Sequence, residues 1–432
     1  MLYDFLGVNE KGNLTISGSD AVHLAKKYGT PLYVMSEDYI RGACREFHKS
    51  IDKYYGGNGM VLFASKAFSC KEIYRIMMQE NCGVDVVSGG ELYTALSVGF
   101  PTENIVFHGN NKSQDELKMA VDNNVGRVIV DGLSELDMLD AIAEKANKTV
   151  SVMLRIKPGI DAHTHEFIKT GQIDSKFGLA LETGEALEGV KKALEYKNIN
   201  LKGIHCHIGS QIFGTEPFES AADVMYTFLA KVKEETGFCI EEINLGGCFG
   251  IRYTELDSPV SYDMYMSKVA EVMQRKSKEL GIPMPKIYIE PGRAIVGPAG
   301  VTLYTVGAIK AIPNIRTYVS IDGGMSDNPR YALYQSDYEA CIANKAAKPR
   351  KFLATIAGKC CESGDLIQED TFIQKPKSGD IMAVFSTGAY NYTMASNYNR
   401  IPRPATVFVK EGEKSRIVIR RETYEDLVRN DI

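Results

Sequence analysis

The feature that most constrains the fold of this chain is a series of eight short β-type segments separated by helix-like stretches. The segments begin at Val61, Gly83, Asn104, Arg127, Val150, Leu201, Glu242 and Lys286. They are apolar without strict alternation, which is typical of parallel strands covered on both faces. The stretches between them, such as KEIYRIMMQE, repeat apolar residues at helical spacing. Eight consecutive βα units predict a closed (β/α)8 TIM barrel, with an open doubly wound sheet as the alternative.

A second region with a different pattern follows the eight units. After about Ala294 the chain consists of β-type runs joined by turns, including VTLYTVGAI, RTYVSIDG, KFLATIAG, DIMAVFSTG and RPATVFVKEGEKSRIVIRRE. This pattern predicts an antiparallel β domain, which the β-like first thirty residues are expected to join. We therefore predict a barrel over residues 31–294 and a β domain over residues 1–30 and 295–432. The long polar stretch 158–177 is expected to be a functional loop.

The composition of the 432 residues limits the possible functions. A net charge of −5 gives no electrostatic basis for binding nucleic acid or an anionic membrane. No apolar run reaches the ~20 residues that span a bilayer, and Asp4 and Glu10 lie where a signal peptide needs a basic end and an apolar middle. The nine cysteines include no C-x-x-C pair, so neither a disulfide framework nor a zinc site is expected. We therefore expect a cytoplasmic protein without a metal ion.

Ionisable, serine or glycine residues stand at nearly every predicted strand end. In chain order these are Lys66, Asp85, Ser88, His108, Asp131, Arg155, His207, Gly246, Gly247, Glu290 and Arg293. The carboxyl ends of barrel strands meet at one mouth, where barrel enzymes carry out their chemistry. A barrel that served only as a scaffold would not need this set of residues. The pattern therefore predicts an active site at that mouth.

Lys66 in the stretch VLFASKAF can be interpreted in two ways. A strand that reaches the surface would leave the lysine in water, whereas an apolar pocket would hold it as a neutral nucleophile. The segments NLGGCFG and EPGR follow strands seven and eight, where barrels often bind phosphate. A nucleophilic lysine, a phosphate site and an acidic residue in one mouth predict pyridoxal 5'-phosphate. Glu290 would then lie near the ring nitrogen and His207 against the ring face.

Taken together, the motifs resemble the diaminopimelate decarboxylase family, whose members are barrel-type (fold III) pyridoxal-phosphate decarboxylases. The resemblance rests on FASKAF, GVDVVSGGEL, FHGNNKS, HTHEFIKTGQIDSKFG, HCHIGSQI, LGGCFGIRY, IEPGRAIV, DGGMSDNPRYALY, CESGD and GAYNYTMASNYN, in the family's order from about Pro31 to Arg403. It implies an alanine-racemase-like barrel with a β domain to which the N-terminal segment contributes. It also implies a homodimer with active sites shared between subunits.

The resemblance further implies a role for each motif residue. Lys66 would bind the cofactor covalently, His207 would stack on its ring and Glu290 would pair with the ring nitrogen. The other cofactor-binding residues would be Asp85, Ser210, Gly246, Gly247, Gly250, Arg293 and Tyr390. Cys361 would act as the acid that protonates the carbanion. The distal end of the substrate would be bound by Arg293, Arg330, Tyr334, Glu362 and Tyr390.

The substrate that the resemblance implies is meso-2,6-diaminopimelate, which is decarboxylated to L-lysine in the last step of lysine biosynthesis. This molecule carries a second amino-acid head group, so its site needs a cation for the carboxylate and an anion for the ammonium group. Arg330 and Glu362 supply that pair. A buried arginine left without a partner would disfavour substrates that lack the distal carboxylate. The alternative is a related diamino acid of the carboxynorspermidine, ornithine or arginine type.

Two other classes of protein and a few departures from the family pattern need to be weighed. A cofactor carrier without catalysis would lack the C-terminal domain and the CESGD segment, and a barrel aldolase would use Lys66 without a cofactor.

Cys248 interrupts the glycine run, and Gly132 stands where the family more often has serine. Cys360 directly precedes Cys361, so the choice of Cys361 as the acid rests on the resemblance.

Overall fold

The computed structural model describes residues 2–160 and 175–432, so most of the predicted 158–177 loop lies outside the described residues. The chain divides into two compact units. The barrel unit comprises Ala43–Gly250 and Pro259–Gly292, and the β unit comprises Met1–Gly42, Ile251–Ser258 and Arg293–Ile432. The prediction placed residues from 31 onward in the barrel. Leu32–Ser36 instead lies in the sheet of the β unit, because it is hydrogen-bonded to a strand of that sheet on each side.

The N-terminal part of the β unit begins with a small antiparallel sheet. Its strands are β1 (Leu6–Val8), β2 (Leu14–Ile16) and β3 (Ser19–Asp20). Helix α1 (Ala21–Tyr28) then begins at Asp20, whose carboxylate accepts hydrogen bonds from the backbone of Val22 and His23 and so satisfies free N–H groups of the first turn. Strand β4 (Leu32–Ser36) and helix α2 (Glu37–Tyr55) follow.

The barrel unit contains the alternating strands and helices that the sequence predicts. In chain order they are β5 (Gly59–Ala64), α3 (Lys71–Gln79), β6 (Gly83–Val86), α4 (Gly89–Leu96), β7 (Ile105–Phe107), α5 (Gln114–Asp122), β8 (Arg127–Val130), α6 (Leu133–Lys145), β9 (Val150–Lys157), β10 (Leu179–Ala180), α7 (Glu185–Glu195), β11 (Ile199–His205), α8 (Glu216–Thr236), β12 (Glu242–Asn244), α9 (Tyr262–Leu280) and β13 (Lys286–Ile289). All eight predicted barrel strands are present, and β10 is a short additional strand beside β9.

The parallel strands close into a barrel because β13 pairs with β5. Inside the ring, Leu62, Val106, Ile129, Met153 and Tyr288 form one buried cluster. Such a layer makes the barrel interior a packed core and leaves chemistry to the residues beyond it at the strand ends. The predicted barrel fold is confirmed.

The C-terminal part of the β unit is mostly sheet. Its elements are α10 (Arg293–Val296), β14 (Gly300–Ile312), β15 (Arg316–Ile321), α11 (Arg330–Tyr334), β16 (Ala340–Ile342), β17 (Phe352–Ala357), β18 (Leu366–Ile373), β19 (Ile381–Phe385), β20 (Ala405–Val409), β21 (Arg416–Ile419) and α12 (Tyr424–Val428). The strand order is β18-β17-β15-β14-β4-β20-β21, and β19 pairs with β14 and β16.

This sheet differs from the prediction in one respect. It is mixed and not purely antiparallel, because β15 pairs in parallel with β17 and β20 pairs in parallel with β4. Both parallel pairs join strands that are far apart in the chain, where no hairpin imposes an antiparallel direction. The N-terminal segment contributes as predicted, since Leu14 and Ile16 pack in one core with Val34, Leu303 and Val407. No helix in the described part of the chain is long and apolar enough to cross a membrane.

Candidate active site

Lys66 lies in a short 3-10 turn, Ser65–Ala67, directly after β5. The turn is held by Ser65, whose hydroxyl lies 2.7 Å from the backbone oxygen of Asp85 and 2.6 Å from a carboxylate oxygen of Glu91. The same Glu91 oxygen accepts a hydrogen bond from the backbone N–H of Val87 at 2.9 Å. Glu91 therefore joins the ends of β5 and β6. Sequence reasoning missed it, although it lies within the quoted segment GVDVVSGGEL.

Asp85 ends β6 close to the charge of Lys66. Its side chain is buried, and burial raises the pKa of Asp85 to about 6, although the positive charges of His108 and Lys66 oppose the shift. The carboxyl group is therefore poised to exchange a proton near neutral pH. Sequence reasoning predicted this residue at the mouth, and the structure places it within electrostatic range of Lys66.

Glu290, at the end of β13, is the centre of a buried hydrogen-bonded cluster. His108 Nε2 lies 2.7 Å from one carboxylate oxygen, and His205 Nε2 lies 3.3 Å from the other. Asn244 donates a hydrogen bond of 2.7 Å to the same oxygen that His108 approaches. Burial alone would raise the pKa of Glu290, but the two histidines outweigh it and hold the pKa well below its usual range. The carboxylate therefore stays ionised inside the barrel mouth.

The partners of Glu290 were only partly predicted. His108 is among the predicted strand ends, whereas His205 and Asn244 were missed, although His205 is the first histidine of HCHIGSQI. Burial lowers the pKa of His205 to about 4, so its ring is neutral and can donate from one nitrogen. The ligand atoms of His108, His205 and Glu290 all lie within 4.8 Å of one another. Among the described residues these three form the group that could hold a metal ion.

The glycine loop after β12 packs directly against His207 and Glu290. A Cβ atom on Gly246 would lie 2.6 Å from His207 Nδ1, and one on Gly247 would lie 2.2 Å from the backbone oxygen of Glu290. The N–H group of Gly247 donates to His207 Nδ1 at 3.3 Å. Only glycine fits at these two positions, because a side chain would collide with His207 or Glu290. A Cβ atom on Gly250 would likewise lie 2.5 Å from the ring of Phe213.

His207 itself is neutral, and Cys248 packs beside it. Burial, followed by the charges of Lys66 and Arg155, lowers the pKa of His207 well below its ordinary value. The Cys248 thiol lies 3.6 Å from His207 Nδ1, and Cys248 adopts a left-handed backbone with φ of 72°. The residue that interrupts the glycine run thus takes a conformation that favours glycine. Ser210 lies three residues beyond His207 in the same segment and is half-buried.

Asp131 and Arg155 anchor the end of the loop that precedes β10. Asp131 accepts a hydrogen bond of 2.9 Å from the N–H group of Gly178. Arg155 lies 3.9 Å from the same carboxylate and places its guanidinium 4.2 Å from the centre of the Phe177 ring. These two predicted strand ends therefore hold Phe177 and Gly178, directly before β10.

The β unit contains a second cluster, formed by two arginines and several tyrosines. Arg293 donates a short hydrogen bond to the Tyr253 hydroxyl, and its guanidinium carbon lies 4.8 Å from the centre of the Tyr390 ring. The guanidinium carbon of Arg330 lies 5.3 Å from the Tyr253 ring centre and 5.5 Å from that of Tyr334. The structure thus brings four of the predicted residues together around Tyr253. Tyr253 was missed, although it ends the quoted motif LGGCFGIRY.

Arg330 carries a buried charge that protein carboxylates do not balance. Its side chain is only 7% exposed, and it makes no ion pair with the described residues. One terminal nitrogen lies 3.1 Å from the Ser336 hydroxyl, while Nε has no hydrogen-bond partner among the described residues. Aromatic faces stabilise a cation but do not neutralise it. The arginine cluster therefore suits an anionic ligand, such as a carboxylate, that can form paired hydrogen bonds with a guanidinium group.

Cys361 and Glu362 lie in an exposed segment between β17 and β18. The backbone N–H of Cys361 donates to the Asn399 side chain at 2.6 Å. Cys360 is buried, and burial raises the pKa of its thiol, so Cys360 stays protonated. No hydrogen bond or ion pair within the described part of the chain joins Cys361 or Glu362 to Arg330.

Comparison with known proteins identifies the family. The model of the pyridoxal-dependent decarboxylase family, pyridoxal binding domain, matches residues 38–297. Diaminopimelate decarboxylase of Bacillus subtilis is 48% identical over 98% of this chain and 96% of its own length. The chain belongs to the diaminopimelate decarboxylase family. The enzyme of that name from Staphylococcus aureus is 46% identical, over 98% of each chain.

Solved structures of the diaminopimelate decarboxylase family have the same fold. That of the M. jannaschii diaminopimelate decarboxylase in complex with L-lysine superposes with a TM-score of 0.94 at 37% identity, covering 99% of this chain and 98% of that one. That of the Helicobacter pylori enzyme, also with L-lysine, gives a TM-score of 0.86 at 29% identity over 95% and 98%. Members of the family are pyridoxal-dependent enzymes.

The residues of the barrel mouth fit pyridoxal 5'-phosphate. The loop leaves the backbone bare of side chains at Gly246 and Gly247, where none would fit, and such a glycine loop is typical of a phosphate site. Glu290 is held ionised, as a partner of a protonated ring nitrogen must be. His207 is neutral and flat, and Lys66 lies within electrostatic range of both Asp85 and His207. The donor set thus matches an aldehyde cofactor with one basic nitrogen and one phosphate.

Proposed function

We propose that this chain decarboxylates meso-2,6-diaminopimelate to L-lysine and CO2 with pyridoxal 5'-phosphate, as the last step of lysine biosynthesis. The observation that carries the proposal is the buried arginine cluster, in which Arg330 has no carboxylate partner among the described residues. A substrate with a second carboxylate supplies that partner. Substrates without one would leave a buried cation unpaired, which is strongly unfavourable.

The barrel residues would hold the cofactor. When bound, pyridoxal 5'-phosphate acts as an electron sink for the pair that remains after CO2 leaves. Glu290 would keep a proton on the ring nitrogen, because His108 and His205 hold its carboxylate ionised. His207 would pack on the ring face, and Lys66 would provide the amine for covalent attachment. The other cofactor contacts would come from Asp85, Ser210, Gly246, Gly247, Gly250, Arg293 and Tyr390.

The β unit would bind the distal carboxylate and the distal ammonium group of the substrate. Arg293 and Arg330, with Tyr334 and Tyr390, would bind the distal carboxylate, and Glu362 would bind the distal ammonium group. Cys361 would return a proton to the reacting carbon once CO2 has left, which a thiol can do near neutral pH. Its exposure on the described surface supports a role at the site of a second subunit. We therefore propose a homodimer with shared active sites, located in the cytoplasm.

The names of similar proteins support this substrate. The curated relatives named diaminopimelate decarboxylase are 41–49% identical to this chain and match 96–98% of it. The L-lysine in the M. jannaschii complex is the product that this reaction would release. A lysine/ornithine decarboxylase from Vibrio vulnificus is only 21% identical, and that likeness shows the fold alone.

The proposal is tested with purified protein supplied with pyridoxal 5'-phosphate. With meso-2,6-diaminopimelate we expect equimolar CO2 and L-lysine, measured by carbon dioxide capture and amino-acid analysis. The Lys66→Ala variant should lose both the turnover and the visible absorbance of covalently attached cofactor. Turnover of ornithine, arginine or carboxynorspermidine in preference to meso-2,6-diaminopimelate would favour the alternative substrate class. Retained attachment in Lys66→Ala would refute the role of the lysine.

A further inference from the structure

Two loops of the β unit follow the carboxyl ends of two neighbouring parallel strands. The segment 322–329 follows β15 and leads into α11, which begins with Arg330. The segment 358–365 follows β17 and contains Cys361 and Glu362. Because β15 and β17 are parallel neighbours, with Ser320 opposite Ala357, both loops emerge side by side. We name them the arginine loop (322–329) and the cysteine loop (358–365).

Asp365, the last residue of the cysteine loop, bonds to both loops. One carboxylate oxygen accepts a hydrogen bond of 2.6 Å from the backbone N–H of Met325 in the arginine loop. The other accepts a hydrogen bond of 2.6 Å from the backbone N–H of Cys360. The side chain is buried. Hydrogen bonds to a carboxylate are about twice as strong as those between neutral groups, so this residue is a strong link between the two loops.

The backbone is shaped around this carboxylate. A Cβ atom on Gly324 would lie 2.5 Å from both carboxylate oxygens of Asp365, and one on Gly358 would lie 2.2 Å from both. One glycine comes from each loop, so the carboxylate lies in a slot that neither loop could form with a larger residue. A main-chain hydrogen bond of 2.9 Å from Lys359 to Gly323 runs beside the slot. The two loops are therefore joined at backbone level.

We propose that Asp365 is a positioning residue that fixes the cysteine loop relative to the arginine loop. In this way it holds the pair Cys361 and Glu362 in a fixed position beside the segment that leads into Arg330. The assignment of these substrate contacts rests on the proposed function, whereas the link itself does not. The link lies within one chain, so it acts whichever subunit's site the cysteine loop serves.

The first test is hydrogen exchange of the holoenzyme by mass spectrometry or NMR. In Asp365→Asn the side chain keeps its size but can accept only one of the two hydrogen bonds. We expect at least one of the amides of Met325 and Cys360 to exchange at least about tenfold faster than in the unmodified protein, because only one of them can keep its acceptor. Unchanged exchange at both amides would overturn the link.

Asp380→Asn is the matched control. Asp380 is also buried in the β unit and accepts a backbone hydrogen bond of 2.6 Å from Lys377, but it contacts neither loop. Its replacement should leave exchange at Met325 and Cys360 unchanged. Equal acceleration in both variants would show a general loss of stability and would also overturn the proposal. If Asp365→Asn does not fold, Gly324→Ala serves instead, because its methyl group would displace the carboxylate.

The second test separates positioning from mere folding. We expect Asp365→Asn to raise KM for meso-2,6-diaminopimelate by about tenfold with the visible absorbance of attached cofactor unchanged, since the barrel residues are untouched. Asp380→Asn should leave KM as it is. An unchanged KM in Asp365→Asn would refute the positioning role. If the unmodified protein does not decarboxylate this substrate, the proposed function fails, while the exchange experiment still decides whether the link exists.

Discussion

The two clusters of buried charge in this protein are balanced in opposite ways. In the barrel mouth, Glu290 is surrounded by His108, His205 and Asn244, and each contact is a direct hydrogen bond or ion pair. In the β unit, Arg330 lies among tyrosine rings without an ion-pair partner in the described residues. The first cluster is complete within the protein, whereas the second leaves a positive charge for a ligand to balance.

This difference indicates that the two clusters have different functions. The protein itself keeps the Glu290 carboxylate ionised, so its charge is the same before and after a ligand binds. A fixed negative charge of this kind suits a residue that keeps a cofactor ring nitrogen protonated. A buried cation without a partner instead discriminates between ligands, because only an anionic group offsets the free-energy cost of removing the cation from water. We therefore assign reactivity to the barrel mouth and substrate choice to the arginine cluster, and variants of either cluster should alter one property without the other.

The largest effect is expected for Glu290→Gln in the barrel mouth. The neutral amide cannot hold a proton on the cofactor ring, so kcat should fall by roughly 10²–10³-fold. Glu242→Gln is the matched control, since Glu242 is also buried in the barrel but is paired with Arg127 at the beginning of β12. The measurement is steady-state decarboxylation of both variants. A Glu290→Gln enzyme with the kcat of the control would break the assignment of reactivity to this cluster.

A smaller effect is expected for Gly247→Ala in the glycine loop. The new methyl group would lie 2.2 Å from the backbone oxygen of Glu290, so the loop or the strand end must move. We expect a loss of about 1–3 kcal/mol in the free energy of unfolding, with weaker cofactor binding. Gly132→Ala is the control, because a Cβ atom there meets nothing within 4 Å. Denaturant titration and cofactor titration check both variants, and equal stability would contradict the close approach.

The smallest effect is a pH dependence in the β unit. Asp327 is buried, and burial raises its pKa to about 7, although its hydrogen bonds from Tyr304 and Gly324 oppose the shift. A raised pKa means that the folded state binds the proton more tightly than the unfolded state. The stability contributed by the protonated form is therefore present at acid pH and is lost as the pH rises from about 4 to about 7, by at most about 4 kcal/mol.

The Asp327→Asn variant isolates this contribution. Its free energy of unfolding, relative to the unmodified protein, should increase steadily between pH 4 and pH 7. Denaturant titrations at several pH values measure the slope. Asp380→Asn should show no such slope between pH 4 and pH 7, because hydrogen bonds from Asn344 and Lys345 outweigh burial and lower the pKa of Asp380, which moves its titration to the acid side of this range. Parallel pH profiles for Asp327→Asn and the unmodified protein would rule out the raised pKa.

The barrel strands and their ends could be predicted because each βα unit repeats one pattern. An apolar run followed by an ionisable residue places Lys66, Asp85 and His108 at the same mouth, whatever the details of packing. Contacts between remote segments could not be predicted in this way. Asn244 and Tyr253 bond to Glu290 and Arg293, which lie far from them in the sequence. A single sequence does not show which distant side chains meet.

The β unit shows the same limit more clearly. The strand β4 fell within the residues predicted as barrel, because its partners β14 and β20 lie far along the chain and nothing local shows which sheet it joins. Strands β16 and β18 were not predicted, and the mixed strand directions follow from the path of long connections. The role of Asp365 depends on two glycines from separate loops, which only the folded chain brings together.

The assignment of substrate choice to the arginine cluster is tested most directly by the substrate specificity of an Arg330→Met variant. The measured quantity is the ratio of kcat/KM for meso-2,6-diaminopimelate to that for L-ornithine, which lacks the distal carboxylate. Arg421→Met is the control, since Arg421 is a half-buried arginine of the β unit that bonds to the backbone of Pro31. We predict that the ratio falls by at least about 10²-fold in Arg330→Met and stays unchanged in the control, with cofactor attachment intact in both. An unchanged ratio in Arg330→Met would contradict the assignment of substrate choice to the arginine cluster.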